Sequence, residues 1–164
     1  GGPMAGPQNF YRGGSLKVYD QETREAIKKL DLTMDSKRIT EIWNRALDSE
    51  WNHPPVWMHG DIAIGNLLIK DGNLSAVIDF GQLGVGDPAC DLVIAWTLFK
   101  DQSREVFKKA MSLDEQTWER AMGWALWKAL IVYTALRGVN CNPIEIEKAK
   151  RVIKELLADD SKLK

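Results

Sequence analysis

The strongest constraint on this chain is the run His59-Gly60-Asp61-Ile62-Ala63-Ile64-Gly65-Asn66-Leu67-Leu68-Ile69, followed thirteen residues after Asn66 by Asp79-Phe80-Gly81. The order places a carboxylate, a carboxamide and a second carboxylate at the spacing that a phosphoryl-transfer site uses around magnesium. A transferred phosphoryl group spreads its charge over equatorial oxygens, so catalysis is mostly positioning and neutralisation. Magnesium takes oxygen ligands in octahedral geometry and keeps several waters, so one or two protein oxygens suffice. Asn66 and Asp79 are of the type to supply them. Asp61, kept clear of the metal, would orient and deprotonate an acceptor hydroxyl. A lone Asp-Phe-Gly or a lone His-x-Asp carries little information; the three parts in order carry much more.

With Gly60 where protein kinases carry Arg, this run resembles the catalytic loop of the aminoglycoside phosphotransferase family, within the protein-kinase-like group that includes choline kinases. Ser75-Ala76-Val77-Ile78-Asp79-Phe80-Gly81 resembles that family's metal-binding strand end. Gly86-Asp87-Pro88-Ala89-Cys90-Asp91-Leu92 resembles the segment that begins its next helix. The resemblance covers about residues 50 to 100 and extends more loosely through the C-terminal helices. It implies a kinase-like C-terminal lobe with Asp61 as catalytic base, Asn66 and Asp79 as magnesium ligands, and ATP as co-substrate. Leu68 and Ile78 would form apolar surface under the adenine. His59 would support the loop by hydrogen bonding, and Asp87, as a helix cap, would brace it together with Asp91. Two positions depart from the pattern. Many members carry His-Pro where Ala63-Ile64 stands, and protein kinases carry Lys at Ala63, so no cation within this loop steadies the transferring phosphate.

The rest of the chain reads as mainly α with one small β-hairpin, an α+β lobe. Residues 1–14 are rich in Gly and Pro and predict an irregular segment. Asp20 predicts the start of a helix through Leu30, and Asp35 or Ser36 that of a second, in which Ile39, Ile42, Trp43, Ala46 and Leu47 recur at helical spacing. Val56-Trp57-Met58 is an extended approach to the loop. Leu67 to Lys70 and Leu74 to Ile78 flank Asp71-Gly72-Asn73, a strong turn signal. Asp87-Pro88 predicts a helix to about Phe99, Asp114 a long helix to Leu136, and Pro143 a last helix to Leu157. The lobe then spans residues 15–158, with a polar tail at 159–164. A kinase-like enzyme also needs an N-terminal lobe with a strand-borne Lys. Lys17 lies in Leu16-Lys17-Val18-Tyr19, and one short strand cannot make such a lobe. The chain therefore reads as the C-terminal lobe alone, inactive in isolation and prone to self-association through its uncovered apolar face.

A chain of 164 residues with 45% hydrophobic and 27% charged content buries a core of ordinary size. A net charge of -1 gives no electrostatic case for nucleic acid or an anionic membrane. Cys90 and Cys141 are too isolated for a zinc site or a disulfide framework, and no secretory signal is visible, so a reduced cytoplasmic setting is expected. Gly84-Val85-Gly86-Asp87-Pro88-Ala89 matches a dinucleotide fingerprint in outline. However, Asp87 would sit where pyrophosphate belongs, and no βαβ unit surrounds it. Trp118, Trp124 and Trp127 share a predicted helix with Ala121, Ala125 and Leu130 and read as core. A metal-dependent hydrolase would need more ligands than His53 and His59 provide. The expected function is transfer of the ATP γ-phosphate to a small hydroxyl-bearing molecule. A non-catalytic helical binding domain or degenerate relative is the alternative.

Overall fold

One helix organises the molecule because almost none of its faces is polar. In the computed structural model, which describes residues 1–138 and 142–161, helix α5 (Glu115–Tyr133) leaves only Glu119 and Lys128 unburied between Thr117 and Leu130. A helix apolar all round has to be surrounded. Helices α1 (Asp20–Lys28), α2 (Ser36–Asp48) and α6 (Pro143–Asp160) pack on it, together with a 3-10 segment, Pro88–Val93. Trp43, Trp96 and Trp124 are fully buried between them. Asp114 starts α5, its carboxylate accepting from the Thr117 amide and hydroxyl, each at 2.8 Å.

Helices α2 and α5 approach closely at Gly123, where a Cβ atom would lie 2.5 Å from the Ala46 Cβ and 2.6 Å from Leu16 Cδ1. Gly123→Val should therefore lower stability by about 3 kcal/mol, despite a better helix propensity. A urea melt checks this; an unchanged midpoint would mean that the two helices have room to separate.

Among the described residues, four short strands form two antiparallel pairs. Strand β1 (Val56–Met58) pairs with β4 (Gly84–Gly86), and β2 (Leu67–Lys70) with β3 (Asn73–Val77). The second pair is the expected hairpin, one residue early in its return strand. Asp71 (φ 51°) and Gly72 (φ 77°) both adopt positive φ, as a tight two-residue turn requires. The architecture is α+β, mostly helical.

Several elements differ from expectation. Leu16–Tyr19 is a 3-10 turn rather than a strand, and Lys17 pairs on the surface with Glu50 at 2.8 Å. Asp20 is the first residue of α1 rather than its cap, because its carboxylate instead accepts from Trp43 Nε1 (2.7 Å) on α2. The helix expected from Pro88 begins as a 3-10 segment and is α-helical only as α3 (Ile94–Thr97). Helix α4 (Asp101–Met111) adds an element between the Pro88 segment and α5 for which the sequence carries no clear pattern. Helix α5 ends at Tyr133, short of Leu136. Helix α6 runs to Asp160, and Asp159 and Asp160 are buried rather than part of a polar tail. Asp159 accepts from Trp96 Nε1 at 3.0 Å, and Asp160 binds Arg38 (3.3 Å) and Arg45. Residues 162–164 and Cys141 lie outside the described residues. The irregular start is anchored: Arg12 is buried 5.0 Å from the Trp124 ring and donates to Gln82 Oε1 at 3.0 Å.

Candidate active site

Strand β1 delivers the chain to His59, and from there the loop is held by its backbone. The Asp91 carboxylate accepts from the amides of His59 and Gly60, each at 2.7 Å. Burial pushes the Asp91 carboxyl above its ordinary range, and the two amide donors pull it partly back. Gly60 sits at φ 85°, and a Cβ there would lie 2.2 Å from the Gln82 carbonyl oxygen. No side chain fits at that point, which is why a glycine stands there.

His59 is buried and joins the loop to the end of the hairpin. Its Nδ1 accepts from the Asp61 amide at 3.2 Å, so Nε2 carries the proton donated to the Ile78 carbonyl at 2.9 Å. Its ring lies 4.6 Å from that of Phe80. Asn66 ties the same parts together. Its side-chain amide donates to the Asp61 carbonyl at 2.9 Å, and its own carbonyl accepts from the Ile78 amide at 3.0 Å. The structure thus brings the Asp61, Asn66 and Asp79 segments into one cluster through His59 and Ile78.

The free oxygens of this cluster are those a hard cation takes. Asn66 Oδ1 and both Asp79 carboxylate oxygens have no hydrogen-bond or ion-pair partner among the described residues. Asp79 is exposed and held at φ 64°, a left-handed conformation that costs about 1 kcal/mol for most residues and that Asp tolerates better than most. An amide oxygen and a carboxylate are the donor types that magnesium takes when it is bound with phosphates and water. No cluster of three or more His, Cys, Asp or Glu side chains suited to a metal occurs among the described residues.

Asp61 is half-buried, and its Oδ1 lies 3.1 Å from Lys128 Nζ on α5. Lys128 was not among the residues singled out from the sequence. The one signal for it was a charge interrupting an apolar helix. It brings a cation from across the fold against the Asp61 carboxylate.

Leu68 and Ile78 lie on one face of the hairpin, since Leu68 opposes Ala76, two residues before Ile78. They are 44% and 41% exposed, so that face is open. Asp87 is turned inward. Its carboxylate accepts from Arg120 Nε (2.7 Å) and the Ala89 amide (3.0 Å), and Arg120 reaches on to Thr117 and Ser49. Cys90 is a buried free thiol whose pKa burial pushes up to about 12. Beside the loop, between α5 and α6, lies a cavity of about 470 Å³.

The site thus has oxygens of the type that hold magnesium, on segments tied to a braced loop that carries Asp61, and family comparison places the chain. The profile of the phosphotransferase enzyme family matches residues 2–124, and the chain belongs to that family. It is similar to an aminoglycoside 3'-phosphotransferase of Escherichia coli, 38% identical over 47 residues, which are 29% of this chain and 17% of the relative. A second from Escherichia coli and one from Salmonella typhimurium are each 35% identical over 51 residues, 31% of this chain and 19% of theirs. The matched stretch thus spans under a fifth of the length of these curated relatives. No solved structure matches the chain. Among the described residues, no helix is long and apolar enough to cross a membrane.

Proposed function

We propose that this chain is the kinase-like C-terminal lobe of an ATP-dependent phosphotransferase that acts on an alcohol. The observation that carries this reading is the set of unpaired oxygens on Asn66 and Asp79, whose segments the His59 and Ile78 hydrogen bonds tie to the Asp61 loop. In this reading Asn66 Oδ1 and the Asp79 carboxylate hold magnesium, which when bound would neutralise charge on the nucleotide phosphates. Asp61 accepts the proton of the acceptor hydroxyl. That oxygen bonds to the γ-phosphorus as the bond to the β–γ bridging oxygen breaks, and ADP leaves. Lys128 keeps the Asp61 carboxylate in place with its ammonium group. Leu68 and Ile78 support one face of the adenine.

The other face needs a cover. Among residues 1–58, all of them described, the only strand is Val56–Met58, so these residues form no sheet over the phosphates. A phosphate-covering lobe with its Lys would come from other polypeptide. The names of the relatives point to aminoglycosides as acceptors, whereas the Asp61 site itself asks only for a hydroxyl.

The test is a turnover assay of the complete gene product with Mg-ATP and a panel of alcohols, followed by phosphorus NMR. Calorimetry of Mg-ATP with residues 1–164 accompanies it. Phosphate-ester formation by the complete protein is expected, with weak or undetectable nucleotide binding by residues 1–164, where half the pocket is missing. Failure of the complete protein to phosphorylate any alcohol would overturn the reading.

A further inference from the structure

We infer that the cavity between α5 and α6 binds the acceptor and selects an alcohol with an apolar body and an anionic group, against polycations. The inference rests on the reading of Asp61 as the base. The cavity, of about 470 Å³, has the size of a small-molecule site. It adjoins the base directly. Ile62, the residue after Asp61, forms part of its wall, and Lys128, which also lines it, touches Asp61 at 3.1 Å.

Its lining decides the chemistry. Val93, Ala125, Ala129, Val132, Ala149 and Val152 make it apolar. Its charged residues are three cations, Lys128, Lys148 and Arg151, and one anion, Glu145. Lys128 is paired with Asp61, and Glu145 with Lys148 at 2.9 Å. The Arg151 guanidinium has no partner among the described residues, so the charge left uncompensated at the cavity is positive. In the wall, the buried Thr97 hydroxyl also lacks a hydrogen-bond partner among the described residues.

Among the described residues, a polycationic acceptor would meet only carboxylates that are already paired here, Glu145 with Lys148 and the adjoining Asp61 with Lys128. Its ammonium groups would lose water against aliphatic side chains, which is unfavourable without a counter-charge. An amphiphilic alcohol reverses each of these terms. Its body fills the apolar lining, its anion takes the Arg151 fork, and its hydroxyl reaches Asp61.

Three probes test this by calorimetry on residues 1–164 without nucleotide: ω-hydroxydodecanoate, dodecanediol and kanamycin. The hydroxy acid should bind about ten-fold more tightly than the diol. Arg151→Gln, on an exposed position, should erase that advantage and leave the diol unaffected. Kanamycin should not bind. Equal affinity for acid and diol, an unchanged acid affinity in R151Q, or preference for kanamycin would overturn the inference. Turnover of the complete gene product then separates the two readings. Arg151-dependent binding without phosphorylation of the hydroxy acid keeps this pocket and removes the phosphotransferase reading. Phosphorylation of kanamycin with no binding of the acid does the reverse.

Discussion

Asp61→Asn lowers kcat of the complete gene product roughly a hundred- to ten-thousand-fold, the usual worth of a positioned general base. The substitution keeps the shape of the side chain. It also leaves the backbone bonds of residue 61 to His59 and Asn66 in place, so the fold and the loop remain. What goes is the ability to accept the hydroxyl proton. Because substrate binding does not need that proton to move, KM should change far less than kcat. Lys128→Met belongs to the same experiment. Its Nζ touches only Asp61 among the described residues, so its effect should be smaller and should operate through Asp61. In the D61N background, K128M should add almost nothing, since residues acting as one unit are not additive. Steady-state kinetics of the two single variants and the double variant measure this. Near-normal kcat in D61N would remove Asp61 from the base role. A full additional loss in the double variant would give Lys128 a role of its own, on the phosphate.

What the sequence made legible was local. The loop, the hairpin and the capped starts of α2 and α5 are each encoded within a few neighbouring residues. Asp71-Gly72 forces its turn whatever surrounds it, and Asp114 caps α5 through Thr117 three residues on. What stayed hidden was long-range. Lys128 meets Asp61 across 67 residues, and Arg120 meets Asp87 across 33. No local pattern announces either pairing. Asp159 and Asp160 look like a solvated end until Trp96, Arg38 and Arg45 are seen to converge on them. Strand β4 escaped notice because Gly84 and Gly86 have poor strand propensity, and its pairing with β1 depends on contact across the fold. Helix α4 is highly charged, and Val106, Phe107 and Ala110 make too thin a stripe to stand out. The proposed magnesium corner was readable as residue types, but its free oxygens were not. Which Asn66 atom is left over depends on the Asp61 carbonyl taking the other.

Asp91→Ala loosens the catalytic loop and lowers stability by about 2–5 kcal/mol. Asp91 is the acceptor for two backbone amides, those of His59 and Gly60, and both residues are buried. Removing the carboxylate leaves two donors without a partner, at about 1–3 kcal/mol each, less whatever water can repair. Asp91→Asn is a poor rescue, because one oxygen accepts one amide while the new NH2 group faces the other. The pH dependence gives an independent check. Burial raises the Asp91 carboxyl above its ordinary 3.8, so the folded protein binds this proton more tightly than the unfolded chain does. The contribution of Asp91 to stability is therefore fully present below that ordinary value and is lost as pH rises through the folded value. The gap between wild type and D91A should be wider at about pH 4 than at neutral pH. Most paired carboxylates behave in the opposite way, losing stabilisation on acidification. Urea melts of both proteins at the two pH values measure the gap. A gap that narrows on acidification would mean that the two amides hold Asp91 more firmly as a carboxylate than burial penalises it. The loop would then be clamped by an ion rather than by a carboxyl group poised to take up a proton.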